Sequence, residues 1–359
     1  MKPRGARWAP LLAGLLSFGC RSTTPEAQPE AATAPPPARA PEAAASLDDA
    51  LSSITAARLR GHIEVLADDD MRGRPTPSPE LDAAAAYIAQ TFEEVGASPL
   101  GASGYETRVR CGGVGGMAAN VLALLPGSTN DYVMVSAHYD HVGESSSGDD
   151  RIFNGANDNA SGVAGVLAIA EALARAPGSR RRGIVFAAFC GEEVGLQGSS
   201  AYVRAPAVPI ERTIAMFNLE MLGHPDPADA KRAWVSGHRY SNLPQWLDRG
   251  GAPEGVTFVP GAEIGRTESD VFDRSDNYPL ALQGVVAHTI AAGPLDEHYH
   301  AVTDDLSNID ADAMVPIVRA LARAVDELAR EDGLPRWLAA APRDLPRRGP
   351  LPPGSSTPP

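Results

Sequence analysis

The sequence is short of cysteine, with Cys20, Cys111 and Cys190 the only three in 359 residues. That excludes a scaffold built on disulfides, which needs a larger, even-numbered set. Basic residues are also scarce, 31 Lys plus Arg against 45 Asp plus Glu, for a formal net charge of −14. A phosphate-binding surface needs clustered positive charge, so nucleic acid is not an expected partner. The acidity reads first as a device for solubility, and beside it as a mild preference for cationic substrate termini. The apolar run from Trp8 to Gly19 falls short of the ~20 residues that a spanning helix needs. No internal repeat is evident. What is present, 359 residues at 43% hydrophobic content, suffices for one large domain or two ordinary ones.

The ends of the chain read as non-globular. Lys2, Arg4 and Arg7 precede the run Trp8–Gly19, which closes on Leu16-Ser17-Phe18-Gly19-Cys20. This is similar to a lipoprotein export signal, in which the cysteine is lipidated and becomes the first mature residue. Ser17 departs from the pattern, which has Leu there. Residues 1–20 are therefore expected to be the signal and 21–45 a disordered Ala/Pro-rich tether. A Pro-rich tail, 334–359, is expected to be disordered after one short helix near Trp337. Cys111 and Cys190 read as buried thiols. A bridge between them stays open, because sequence does not show whether they are close.

Residues 46–333 form the expected domain. Leu47–Leu66 and Leu81–Val95 carry apolar residues at helical spacing. Asn120–Leu125 and Tyr132–Ala137 read as strands, and Gly162–Ala176 as a helix. Gly183–Cys190 is continuously apolar, as a strand buried on both faces should be. Ile214–Leu219 and Val285–Ile290 are further strands, and Ala313–Leu328 is a closing amphipathic helix. The alternation predicts an α/β fold, a single doubly wound domain with a mostly parallel mixed sheet and helices on both faces. Ligands in such folds sit at the carboxyl ends of the strands.

The strand ends carry the chemistry. His138-Tyr139-Asp140-His141 follows the second strand. The segment before the helix is Gly155-Ala156-Asn157-Asp158-Asn159-Ala160-Ser161-Gly162. Gly191-Glu192-Glu193 follows the next strand, Glu220 the one after, and His298-Tyr299-His300 the last. Singly, each is an ordinary surface or turn pattern. Together they offer carboxylates and imidazoles of the hardness zinc accepts, and carboxylates gathered at one place repel one another unless cations lie between them.

The segments Ala137–Gly143, Gly155–Gly162, Gly191-Glu192-Glu193-Val194-Gly195 and Tyr299-His300 resemble, in order and approximate spacing, the signature segments of the co-catalytic zinc exopeptidases. That family includes bacterial leucyl aminopeptidases, aminopeptidase Y and glutamate carboxypeptidase. The resemblance runs from about Leu51 to Leu328, and Leu66–Arg74 is similar to the family's segment between its first two helices. It implies a zinc exopeptidase fold and two zinc ions. His138 and Glu220 would hold one, Glu193 and His300 the other, and Asp158 would bridge them. Asp140 would orient His138. Glu192 would be the general base, and Tyr299 would donate to the oxyanion. Neighbouring Glu192 and Glu193 can serve different roles because adjacent side chains diverge. Glu220 stands where many family members have Asp.

His141 is outside this implied set, which is complete without it. His298 reads as a rim residue, and His62, His224, His238 and His288 lack suitable company. Asp276, in Arg274-Ser275-Asp276-Asn277, reads as a buttress. The insertion Glu144–Phe153 should bulge outward, and the loops Gly223–Trp234 and Gly261–Ser275 should line the substrate pocket. The implied activity is an aminopeptidase acting on peptides with a free N-terminus. Carboxypeptidase, dipeptidase, deacylase and glutaminyl cyclase chemistry are rivals on related folds, and a non-catalytic binding module is a rival of another class. The expected state is a monomer, either lipid-anchored through Cys20 in a bacterial envelope or secreted.

Overall fold

The computed structural model describes residues 46–261 and 271–348. The expected signal and tether, positions 262–270 of the loop Gly261–Ser275, and the tail beyond 348 lie outside the described residues. Three helices open the domain: α1 (Leu47–Leu51), α2 (Ala56–Leu66) and α3 (Pro79–Glu94). The single apolar period over Leu47–Leu66 is thus two helices, a correction with a local cause. The Ser52 and Ser53 hydroxyls turn back onto the carbonyls of Asp49 and Ala50. Thr55 then caps α2, accepting the Arg58 N–H at 3.2 Å.

Strands β1 (Ser98–Pro99), β2 (Glu106–Arg110), β3 (Met117–Leu125) and β4 (Tyr132–His138) follow, then α4 (Gly162–Arg175), β5 (Gly183–Phe189), α5 (Gln197–Arg204) and β6 (Thr213–Glu220). The chain continues through β7 (Arg232–Val235), α6 (Pro244–Gly251), β8 (Thr257–Pro260), α7 (Asn277–Ala281), β9 (Val286–Ala291) and α8 (Ala311–Arg330). One mixed sheet runs β1-β3-β5-β4-β6-β9-β7-β8, with β2 also on β3. Its centre, β5-β4-β6-β9, is parallel. Antiparallel partners extend it on either side, through β3 and β7.

The central strands β4, β5, β6 and β9 are buried at every residue. Both faces must therefore be covered, which is why these strands are continuously apolar in sequence. Helices α3, α4 and α8 pack on β3, β4 and β5, while α5 and α7 pack on one another and on the sheet. The strands that sequence patterning missed are short or polar. β2, Glu-Thr-Arg-Val-Arg, is at most half-buried, and β7 and β8 have four residues each. No described helix is long and apolar enough to cross a membrane.

The segment 334–348 corrects the expectation of a disordered tail, and no helix forms at Trp337. The Trp337 ring packs on Phe272 and His288. The Leu338 N–H donates to the Tyr240 carbonyl at 2.7 Å, and Ala341 and Leu345 are buried. Arg348 donates to the carbonyl of Thr213 at 2.9 Å. Proline-rich composition does not prevent a segment from docking in extended form when apolar anchors recur along it.

Two glycines separate helix propensity from crowding. Gly61, within α2, has open space where a Cβ would be. At Gly162, the first residue of α4, a Cβ would lie 2.2 Å from Asn159 Oδ1 and 2.5 Å from the Leu219 carbonyl. In urea unfolding, Gly61→Ala should stabilise by about 0.5–1 kcal/mol. Gly162→Ala should destabilise by about 1–3 kcal/mol.

Candidate metal centre

Because β5, β4, β6 and β9 run parallel, their carboxyl ends meet along one edge. His138 is the last residue of β4 and Glu220 the last of β6. Glu192 and Glu193 follow β5, Tyr299 and His300 follow β9, and Asp158 comes from the connection into α4. These seven groups line one cleft of about 340 Å³. Met221, Trp234, Val271, Ala291 and Leu295 give that cleft an apolar wall, and Asp273 and Arg274 also line it. Of the two expected pocket loops, Gly223–Trp234 contributes Trp234, and the described part of Gly261–Ser275 contributes residues 271 and 273–275.

The donors fall into two groups sharing one carboxylate. His138 Nε2 lies 3.2 Å from Glu220 Oε2 and 3.3 Å from Asp158 Oδ1. His300 Nε2 lies 3.2 Å from Glu193 Oε2 and 3.2 Å from Asp158 Oδ2. Asp158 thus turns one oxygen to each imidazole. His141, set aside in the sequence reading, stands among these donors. Its Nδ1 is 3.0 Å from Glu193 Oε1 and 3.9 Å from Asp158 Oδ2, and its side chain joins those of Asp158, Glu193 and His300 in one possible ligand group. Nothing in the sequence distinguished it from a hydrogen-bonded neighbour of the first motif.

A frame of polar side chains sequence reasoning did not find holds these donors. Both oxygens of buried Asp304 accept backbone N–H groups, from Asn157 at 2.7 Å and Asp158 at 2.9 Å. Asn157 Oδ1 accepts the Gly223 N–H at 2.8 Å. Asn159 donates to the Leu219 carbonyl at 2.9 Å and accepts the Met221 N–H at 3.1 Å. The asparagines flanking Asp158 thereby tie its loop to the end of β6. Ser275 Oγ donates to Glu220 Oε1 at 2.5 Å, and Asn218 Nδ2 donates to the same oxygen at 3.2 Å. Below the site, fully buried Arg74 donates to the carbonyls of Leu66, Tyr139 (2.8 Å), Asn154 (2.8 Å) and Gly155 (3.1 Å). Arg74 thereby ties the end of the segment Leu66–Arg74 to its own start, to the residue after His138 and to the start of the Asp158 loop.

Asp140 touches His138 chiefly through its backbone. Its carbonyl accepts from His138 Nδ1 at 3.1 Å, while carboxylate Oδ1 is 3.7 Å away. That carboxylate accepts the Glu192 N–H at 3.1 Å and the Thr76 hydroxyl at 2.8 Å, so it positions the Glu192 backbone as well. Asp276 is buried and accepts from the Ser199 hydroxyl. Burial pushes its carboxyl up to about 7. Tyr299 stacks on His300, with ring centroids 4.0 Å apart. His62 and His288 are core residues, bonded to Tyr87 and to Ser236 and Ser241, and burial lowers each to about 4. His224 pairs with Asp296 at 2.7 Å, and His298 with Thr303 at 2.9 Å. The insertion Glu144–Phe153 projects outward, closed by a bridge between Glu144 and Ile152.

The electrostatics describe a site that needs positive charge. Burial resists a charge on His138, yet Glu220, Glu192, Asp140 and Asp158 raise it well above the imidazole range. Hydrogen bonds to Asp158 and Glu193 raise His300 to about 10. Burial would raise Glu193, but hydrogen bonds from His141 and His300 bring it down to about 2. Glu192 shows the opposite outcome: burial pushes its carboxyl well up, and Glu220, Asp276 and Glu193 add to the push against the pull of His138. Without metal, protonated imidazoles supply the charge that the carboxylates require. Buried carboxylates and imidazoles in this proportion fit a divalent metal of zinc's hardness.

Residues 120–325 match a family model described as Peptidase family M28. The chain belongs to that family. This M28 chain is 32% identical over 250 residues to the probable lipoprotein aminopeptidase LpqL of Mycobacterium tuberculosis, covering 61% of this chain and 47% of the relative. It is 29% identical over 214 residues to aminopeptidase YwaD of Bacillus subtilis, covering 58% and 43%. It spans about half the length of these relatives. BSAP, a zinc aminopeptidase from Bacillus subtilis, superposes with a TM-score of 0.62 at 16% identity over 78% of this chain and 96% of that one. Porphyromonas gingivalis glutaminyl cyclase gives 0.62 at 18% identity, over 77% and 99%. At these identities the likeness establishes the M28 fold alone.

Metal entering the site must displace the imidazole protons, so binding and pH are linked. His300, raised to about 10, is protonated at pH 7. Zinc uptake at pH 7 should therefore release about one to two protons. Apparent affinity should rise with pH until His300 is neutral without metal. Calorimetric titration in buffers of different ionisation enthalpy measures the release.

Proposed function

We propose that the chain is a two-zinc aminopeptidase that removes single residues from peptides with a free N-terminus. One observation carries the reading: the two oxygens of Asp158 face imidazoles of two separate donor groups, His138 with Glu220 and His300 with Glu193. A carboxylate so placed suits a bridge between two cations. The ligand roles are His138 and Glu220 for one zinc, Glu193 and His300 for the other, and Asp158 for both. His141 braces Glu193 through its Nδ1. Names of the sequence relatives, probable lipoprotein aminopeptidase and aminopeptidase, support the substrate class.

Zinc held by these residues supplies Lewis acidity and lowers the pKa of water toward neutrality. The protein supplies the rest. Glu192 is the proton carrier, taking the proton of the attacking water and delivering it to the leaving amine. Its upward shift suits that task, because a carboxyl of ordinary pKa is too weak a base near neutral pH. The Asp140 carboxylate fixes the Glu192 backbone. Tyr299, held against His300, is the donor for the oxyanion. The acidic lining attracts the cationic α-amine of the substrate, and the apolar wall from Met221 to Leu295 receives its side chain. Lipid attachment at Cys20, an envelope or secreted location and a monomeric state belong to the same proposal. The name of the first relative supports the lipoprotein part.

The test pairs free-amino with N-acetylated peptides, with and without a chelator, and reads products by mass spectrometry. Chelator-sensitive loss of single N-terminal residues from the free peptides alone is expected. Cleavage of blocked peptides, loss from the C-terminus, or cyclisation of N-terminal glutamine would overturn the aminopeptidase reading. Glu192→Gln should lower kcat by about 10²–10⁴ with bound zinc unchanged. Glu193→Gln should lose zinc itself, about 10-fold or more in affinity. Metal analysis of the purified variants separates the two.

A further inference from the structure

Cys111 and Cys190 take no part in the proposed chemistry, yet the fold brings them together. Cys190 follows β5 directly and precedes Gly191-Glu192-Glu193, while Cys111 follows β2 in the turn toward β3. They stand 79 positions apart in sequence, both with no exposed surface, and their sulfurs face one another at 2.7 Å. Neither is bonded covalently to another residue in the structure. Each backbone is fixed independently. The Cys190 N–H donates to Asn120 Oδ1 at 3.2 Å, and the Cys111 N–H donates to the Gly116 carbonyl at 3.2 Å. The next residue, Gly112, donates to Gln197 Oε1 at 2.8 Å. Gly191 has φ +67°, and a Cβ there would lie 2.9 Å from Cys111 Sγ. The turn that delivers Glu192 and Glu193 is therefore shaped around the Cys111 sulfur.

We propose that Cys111 and Cys190 are joined by a disulfide in the mature protein, and that this bond clamps the loop bearing Glu192 and Glu193 to the β2–β3 turn. The bond itself is independent of the aminopeptidase reading; its effect on metal retention rests on that reading. The oxidant is a disulfide, either of a small molecule or of a protein that carries a reducible cysteine pair. The Cys111 thiolate attacks one donor sulfur and releases the other as a thiol. Cys190 then attacks Cys111 in the mixed disulfide and releases the second donor thiol. Two electrons and two protons leave the protein cysteines and end on the two donor thiols. The hydrogen bond that Cys190 shares with Cys111, with burial, raises the Cys190 thiol far above its ordinary range. Thiolate is thus scarce once the chain has folded, and exchange is slow. The bond acts as a fixed clamp set during folding.

Full-length protein is incubated with oxidised glutathione during refolding, then unfolded in excess iodoacetamide without reductant, beside a sample reduced while unfolded. The expected result is a linked peptide pair containing Cys111 and Cys190, about 2 Da lighter than the sum of the reduced peptides, with both sites alkylated only after reduction. Alkylation of both cysteines without reductant, or either one joined to glutathione or to Cys20, overturns the bond. Zinc loss to a chelator is then followed for bridged and reduced wild type and for Cys111→Ala. Loss should be about tenfold faster in the reduced protein and in the variant. Equal rates from the two wild-type forms overturn the clamp, whether or not the variant folds. Protein that carries the bond and takes up no zinc overturns the two-zinc reading and the clamp with it, while the bond stands.

Discussion

Asp158, Glu193 and Glu220 bring three carboxylates to one edge of the sheet and hold them largely out of water. Like charges deprived of solvent repel strongly, and the surrounding structure answers that repulsion. His138, His141 and His300 are interleaved with the carboxylates. For Glu192, beside the same charges, burial together with Glu220, Asp276 and Glu193 outweighs the pull of His138 and raises the carboxyl well above its ordinary range. One electrostatic field therefore gives neighbouring glutamates opposite character: Glu193 is held ionised and Glu192 is held basic. Their backbone order determines which is which, since adjacent side chains leave the chain in different directions.

Holding that arrangement falls to neutral hydrogen-bond donors and to one more carboxylate. Asp304 spends both oxygens on backbone N–H groups and adds no ligand. Asn157 and Asn159 join the Asp158 loop to β6, and Ser275 and Asn218 occupy the outer oxygen of Glu220. Such partners fix ligand direction and raise affinity without entering the coordination sphere. The arm of Glu220 is steadied in this way by two donors.

The sequence was most readable where physics is local or periodic. The central strands are recognisable because burial on both faces forces unbroken apolar runs. The gathering of carboxylates and imidazoles is recognisable because most of them follow the ends of those strands, while their proposed metal roles come from the resemblance to the zinc exopeptidases. The outlying strands β2, β7 and β8 are not recognisable, since short or half-exposed strands carry no distinctive period. The break between α1 and α2 turns on hydroxyls that bond backwards, a detail beneath the apolar pattern. Asp304 resembled any solvated aspartate, and His141 resembled a bystander. Their meaning comes from partners about 50 to 150 positions away in sequence. Residues 334–348 are opaque in sequence because their proline content suggests disorder, whereas the anchors Trp337, Ala341 and Leu345 act only through the surfaces that bury them.

Arg74 lies before every proposed ligand and outside the stretch 120–325 that matches the family model. Its guanidinium nevertheless gathers carbonyls from α2, from the residue after His138 and from the start of the Asp158 loop. A recombinant fragment begun at residue 120 would contain all five proposed ligands and lack the cation that closes their floor. Several buried carbonyl oxygens would then have no donor. For this chain, the smallest piece of polypeptide that names the family and the smallest piece that can build the site are different lengths.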